Sequence, residues 1–151
     1  LTQLARGTID AIAIGTVIAP QSPVWNLGVW LDSNLSIGDH ITKTSSATFY
    51  YLSNIRMIRK YLSKECTEIL IHAFISSHLD YCNSLLHGLL AYHIQKLQRA
   101  QNAAARLVFE ESKFRHITPL LRALHWLPVA YRVVFKILLF TFKAIHKLAQ
   151  T

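Results

Sequence analysis

Residues 94–108 read IQKLQRAQNAAARLV, and this stretch decides the fold. At about 100° per residue, Leu97, Ala104, Val108, Gln101, Ile94 and Ala105 fall in an arc about 80–180° from Lys96. Lys96, Arg99 and Arg106 fall in the arc from about 0 to −80°. One side is apolar and the other basic, as in a helix that packs on a core and leaves its other face open. The expected helix spans 91–109, and Gly88 separates it from the element before it. Ala103, Ala104 and Ala105 are small enough to admit a close neighbour, and a second helix is the expected one.

Further along the chain, Thr118-Pro119 is expected to act as an N-cap followed by proline at the first helical position, opening a short helix to His125. Leu127-Pro128 is expected to open the last helix, which reaches about Lys147. There Arg132, Lys136, Lys143 and Lys147 share a stripe about 60° wide on an otherwise apolar rod. That pattern predicts a helix buried on most sides, with the lysines on its one wet face.

Before residue 91 the signals are again helical back to Ser36. Asp39 is expected to cap a helix over 40–61. Ser63 is expected to cap the next, with Glu65 in its first turn, running toward Leu85 with a bend near Asp80. The first third reads as strands. Ile9, Ala11 and Ala13 alternate with Asp10, Ile12 and Ile14, and Gly15-Thr16 turns into Val17-Ile18-Ala19. Residues 26–32 (NLGVWLD) read as a further strand, closed by Asp32-Ser33-Asn34, with Gly28 marking a bulge or a close backbone approach. The expected fold class is therefore mainly α. A small N-terminal antiparallel β element, a hairpin plus a strand over 1–35, precedes a bundle of about five helices over 36–151.

Charge follows the same division. Residues 1–55 carry a net −1 and residues 56–151 a net +9, which together make the chain's +8. A basic excess confined to the helical part points to a polyanionic partner, nucleic acid before membrane. The candidate contacts are Arg56, Arg59 and Lys60, with Lys64 beyond them, and Lys96, Arg99 and Arg106 on the 91–109 helix. Tyr50, Tyr51 and Tyr61 lie near the first group in sequence, where aromatic rings can stack on bases or pack in the core. Only 16% of residues are charged while 52% are apolar. That balance fits a piece covered by the rest of a larger protein, and the start on Leu1 instead of Met adds the expectation of a fragment or processed product.

Catalytic patterns are missing. The eight carboxylates never pair on a strand-turn as two-metal nucleotidyl transfer requires. The eight histidines form no HExxH, no glycine-rich phosphate loop is present, and no nucleophile elbow supports a Ser-His-Asp triad. Cys66 and Cys82 have no metal-ligand spacing and fit a reducing compartment. No signal peptide is visible, and the apolar window 133–142 is broken by Lys136 and too short to span a bilayer. The expectation is an intracellular protein, nuclear or cytoplasmic, without membrane or small-molecule partner.

Four phrases, NLGVWLDSNLSIGDHI (26–41), SHLDYCNSLLHGL (77–89), IQKLQRAQNAAARLV (94–108) and HITPLLRALHWLPVAYRVVFKILLFTFKAIH (116–146), carry a resemblance. In order and spacing they are similar to the C-terminal reverse-transcriptase region of LINE-type (non-LTR, jockey-like) retrotransposons. The resemblance implies the end of the palm, near the primer grip, at 1–35, and a thumb with its C-terminal extension at 36–151. It implies RNA or RNA–DNA hybrid as partner, together with the upstream palm and fingers. It places the family's catalytic Asp-Asp motif and its Mg²⁺ upstream of this sequence, so the chain is expected to have no catalytic residue, no cofactor and no polymerase activity of its own. The alternatives are a helical remnant of a decayed element or a helical protein-interaction module. One departure matters: His78 stands where the family commonly has Arg, which takes away a possible charge partner for Asp80.

Overall fold

The structure is a computed structural model that describes residues 11–13, 16–18, 24–31 and 37–148. It is mainly α, with a small β element first. The chain divides into two units, Leu1–His40 and Ile41–Thr151.

In the first unit, β1 (Ala11–Ala13) pairs antiparallel with β2 (Thr16–Ile18), Ala11 opposite Ile18. Thr16 lies within the strand, although Gly15-Thr16 reads as a turn. Ile9, Asp10, Ile14, Gly15 and Ala19 lie outside the described residues, as does the expected turn Asp32-Ser33-Asn34. The expected single strand over 26–32 is instead part of a second hairpin. β3 (Val24–Asn26) pairs with β4 (Val29–Leu31), Trp25 opposite Trp30. Leu27 and Gly28 take φ of 45° and 82°. Two successive positive φ values are what a two-residue hairpin turn of the right twist requires, so Gly28 serves the turn and not a bulge. The Trp25 and Trp30 rings meet across the strands at 5.0 Å between centroids.

The second unit is helical from its start. α1 (Gly38–Ile58) buries Ile41, Thr48, Leu52 and Ile55 along one stripe. The fully buried Thr48 hydroxyl is satisfied by donating to the Thr44 carbonyl at 2.8 Å. Asp39 sits inside the first turn, where it still complements the helix dipole. A 3₁₀ turn, Arg59–Tyr61, closes the helix where the sequence predicts. α2 (Lys64–Ile71) starts at Ser63, whose hydroxyl accepts from the Cys66 N–H at 3.2 Å. Glu65 follows in the first turn. Hydrogen bonds from its own backbone N–H and from Ser63 hold its carboxyl below the usual range.

The helix then widens into a π turn, His72–Ser76, and resumes as α3 (Ser77–Asp80). It stops at Asp80, short of the predicted Leu85. Tyr81 is extended, Cys82 is left-handed at φ 50°, and a 3₁₀ turn covers Asn83–Leu86. α4 (Ala91–Phe109) has the predicted bounds. α5 (Ile117–Ala123) begins earlier than Thr118-Pro119 implies, with His116 at its N-cap. Pro119 is tolerated at the third helical position because the first-turn N–H groups lack intrahelical partners in any case. α6 (Val129–Ile145) has Pro128 at its N-cap.

α4 is the hub of the core and touches α2, the π turn, α5 and α6. Ala104 and Ala105 are fully buried, as is Ala100 a turn earlier, while Ala103 is half-buried, so two of the three small residues serve close helix packing. Around them lie Leu97, Val108, Ile71, Ile75, Leu120, Leu121, Val129 and Val133. α6 departs from expectation. Only Val129 and Val133 of its side chains are buried, and its neighbours are α4 and the 3₁₀ turn Asn83–Leu86. Beyond them the rod is largely exposed instead of buried on most sides.

Replacing Ser63 with Ala removes the α2 cap, and a loss of about 1 kcal/mol is expected in denaturant unfolding. Ser63→Asp keeps an acceptor at the cap and should leave stability within a few tenths of a kcal/mol of the parent.

Candidate nucleic-acid interface

The six predicted cations separate into three kinds. Arg59 faces inward, its side chain only 12% exposed. Its Nε donates to the Leu107 carbonyl at 3.0 Å, Nη2 to Val108 at 3.0 Å, and Nη1 to Leu62 at 2.8 Å. Glu110 lies 3.6 Å from Nη2. The last carbonyls of a helix have no intrahelical donor. Arg59 supplies donors for two of them at the end of α4, and its guanidinium is thereby committed within the fold.

Arg106 and Lys96 are partly committed. Arg106 donates through Nη2 to the Arg115 carbonyl at 3.2 Å, and its Nε is sealed from solvent. Lys96 places Nζ 3.4 Å from the Thr42 hydroxyl and 4.7 Å from the Tyr92 ring centroid. Lys96 near the start of α1 and Arg59 near the end of α4 show that these two helices run in the same direction.

Arg56, Lys60 and Arg99 are exposed, and among the described residues none of them has an ion pair. Lys60 lies over the Tyr61 ring at 4.7 Å. Lys64 lies over the Phe109 ring at 4.2 Å, which ties the α1–α2 corner to the end of α4. Of the three tyrosines, Tyr50 and Tyr61 are exposed. Tyr51 is half-buried against Phe74 and His78, with centroids 5.4 and 5.3 Å away.

A polar node that sequence reading missed lies where α3, α4 and α6 meet. Asp80 does have a charge partner, and it comes from α6. Arg132 Nη1 donates to both carboxylate oxygens, at 3.1 and 2.9 Å. The Nε of Arg132 donates to the Leu127 carbonyl at 2.8 Å, and Gln101 Nε2 donates to that same oxygen at 2.8 Å. Gln98 accepts from the Val129 N–H at 2.9 Å and donates to Gln101 and Asn102, each at 2.8 Å. Gln101 is fully buried with both ends of its amide occupied. Its signal in the sequence was a polar residue inside the apolar arc of α4.

Asp80 and Arg132 also line an open cleft of about 430 Å³ with His72, Ser76 and His125. Serine, histidine and aspartate thus share a cavity. Among the described residues no hydrogen bond joins Ser76 to either histidine, and Asp80 is held by Arg132. The cleft contains no second carboxylate, and no group of three potential metal ligands occurs among the described residues. No helix among the described residues is long and apolar enough to cross a membrane. Compared with known proteins, the chain matches no family model, and no curated protein or solved structure is significantly similar to it.

Arg59→Gln should behave as a stability variant. Losing charge-assisted bonds to the end of α4 is expected to lower unfolding free energy by about 1.5–3 kcal/mol. Arg56→Gln, which removes no internal bond, should stay within about 0.5 kcal/mol of the parent.

Proposed function

We propose that the chain is a thumb-like piece of a LINE-type reverse transcriptase that holds RNA or RNA–DNA hybrid through its backbone and performs no catalysis of its own. The observation that carries the proposal is the set of exposed cations without acidic partners, Arg56, Lys60 and Arg99, on the parallel helices α1 and α4 and the turn after α1. Charges left unneutralised on rigid elements suit a regular row of phosphates, which is bound without reading sequence. The shape of an A-like duplex and its 2′-hydroxyls would supply the preference for RNA-containing strands. Exposed Tyr61 beside Lys60 adds a flat apolar surface where a terminal base or sugar can rest.

The resemblance gains support from the way its parts meet. Asp80 belongs to the phrase 77–89, Gln98 and Gln101 to 94–108, and Leu127, Val129 and Arg132 to 116–146. The polar node joins all three phrases. The likeness thus rests on residues that act together in one fold.

Fluorescence anisotropy with a short RNA–DNA hybrid at several salt concentrations tests the proposal. With Arg59 committed internally and Arg106 held to the Arg115 carbonyl with its Nε sealed, while Lys96 makes only a long bond to Thr42, about four cations remain, Arg56, Lys60, Lys96 and Arg99, and a log–log salt slope of about −3 to −4 is expected. Arg56→Gln combined with Lys60→Gln should flatten the slope by about 2 units. An unchanged slope would remove the α1–α2 corner from the interface. A folded chain that fails to bind at low salt would sink the proposal.

A further inference from the structure

Along α6, Tyr131, Phe135, Leu138, Phe142 and Ile145 are all exposed, by 53–72%. Their spacing alternates four and three residues, the repeat that brings one side chain per half-heptad onto a single seam. A seam of that period fits another helix better than a sheet or a loop. From Val134 to the end of α6 no side chain is buried. A helical stretch that short and that apolar is marginal in water without cover.

We propose that the cover is α6 of a second copy, lying antiparallel across a two-fold axis at Leu138. The pairing is self-complementary: Leu138 meets Leu138, Tyr131 meets Ile145, and Phe135 meets Phe142 of the other copy. Charge permits it. Lys136 and Lys143 point about 120–140° away from the seam, so closing it brings no lysines of α6 together. Arg132, at the flank, is neutralised by Asp80. The antiparallel sense follows from where each helix is anchored. Val129 and Val133 embed the start of α6 in its own helical unit. A parallel pair would crowd two strongly basic units at one end, whereas an antiparallel pair sets them at opposite ends and aligns the helix dipoles favourably. Five large side chains offer roughly 600 Å² per copy, so the pair would bury roughly 1,200 Å², the lower bound of a stable specific interface.

Light scattering coupled to size exclusion, on the full chain at about 10–100 μM, reads the mass directly. Twice the chain mass is expected. Leu138→Glu with Phe142→Glu should give a monomer that stays folded, because neither side chain is buried within one copy, and far-UV helicity should fall by no more than the uncovered last turns of α6. Orientation is read by disulfide trapping on a Cys66→Ser, Cys82→Ser background. Leu138→Cys should cross-link to itself, and Ile145→Cys only when mixed with Tyr131→Cys. A monomer across the whole concentration range, polydisperse aggregate, or a double-Glu variant that stays dimeric would overturn the seam. Efficient self-cross-linking of Ile145→Cys would overturn the antiparallel arrangement.

Discussion

Arg132 grips Asp80 with one nitrogen and the Leu127 carbonyl with another, while Gln101 holds that carbonyl from the opposite helix. These bonds fix where α3 stops, where α6 starts and how both lie on α4. The pair is partly shielded, with Arg132 at 15% and Asp80 at 45% side-chain exposure, so its Coulomb attraction is only partly screened. The larger constraint is satisfaction. Leu127 and Val129 expose backbone groups at a helix start, and the glutamines of α4 are the donors and acceptors that replace water there. An apolar substitution in the node would leave several polar atoms without partners at once, which makes the node cooperative.

Elements with an unambiguous period were legible in the sequence. α4 has nineteen residues with a clean division of faces, and its predicted ends agree with the structure. Ser63 was legible as a cap because hydroxyl capping is a local event. Features set by distant partners were not. Arg59 reads as one of three clustered cations, and only the approach of α4, 48 residues on, turns it inward. The break near Asp80 has a local signal, but the arginine that holds its carboxylate lies 52 residues away. In the strand region Asn-Leu-Gly hides a hairpin turn, since leucine is a poor marker for positive φ. The apolar pattern of α6 predicts burial because hydrophobicity marks a need for cover and says nothing of whether this chain provides it.

The candidate interface was legible in part. The charge asymmetry located it on the helical unit, and Arg56, Lys60 and Arg99 are exposed there. What charge counting could not supply is which guanidinium already has partners. Under the proposed function the node is architecture, and the grip on nucleic acid falls to cations that stand clear of it.

The π turn at His72–Ser76 has a consequence for how this chain tolerates change in length. A wide turn accommodates one more residue than an α-helix would over the same rise, and so it sets the rotational phase of everything after it. Omitting a single residue there would let the helix run on as a regular α-helix, with α3 swung by about 100° about its axis. Asp80 would then leave the side from which Arg132 approaches, and Leu79 would leave the core. The segment acts as a phase shifter between two halves of one helix. Among the described residues, a deletion in this turn, which buries Ile75 and Ser76, should therefore be far more disruptive than one in the exposed loop after α4.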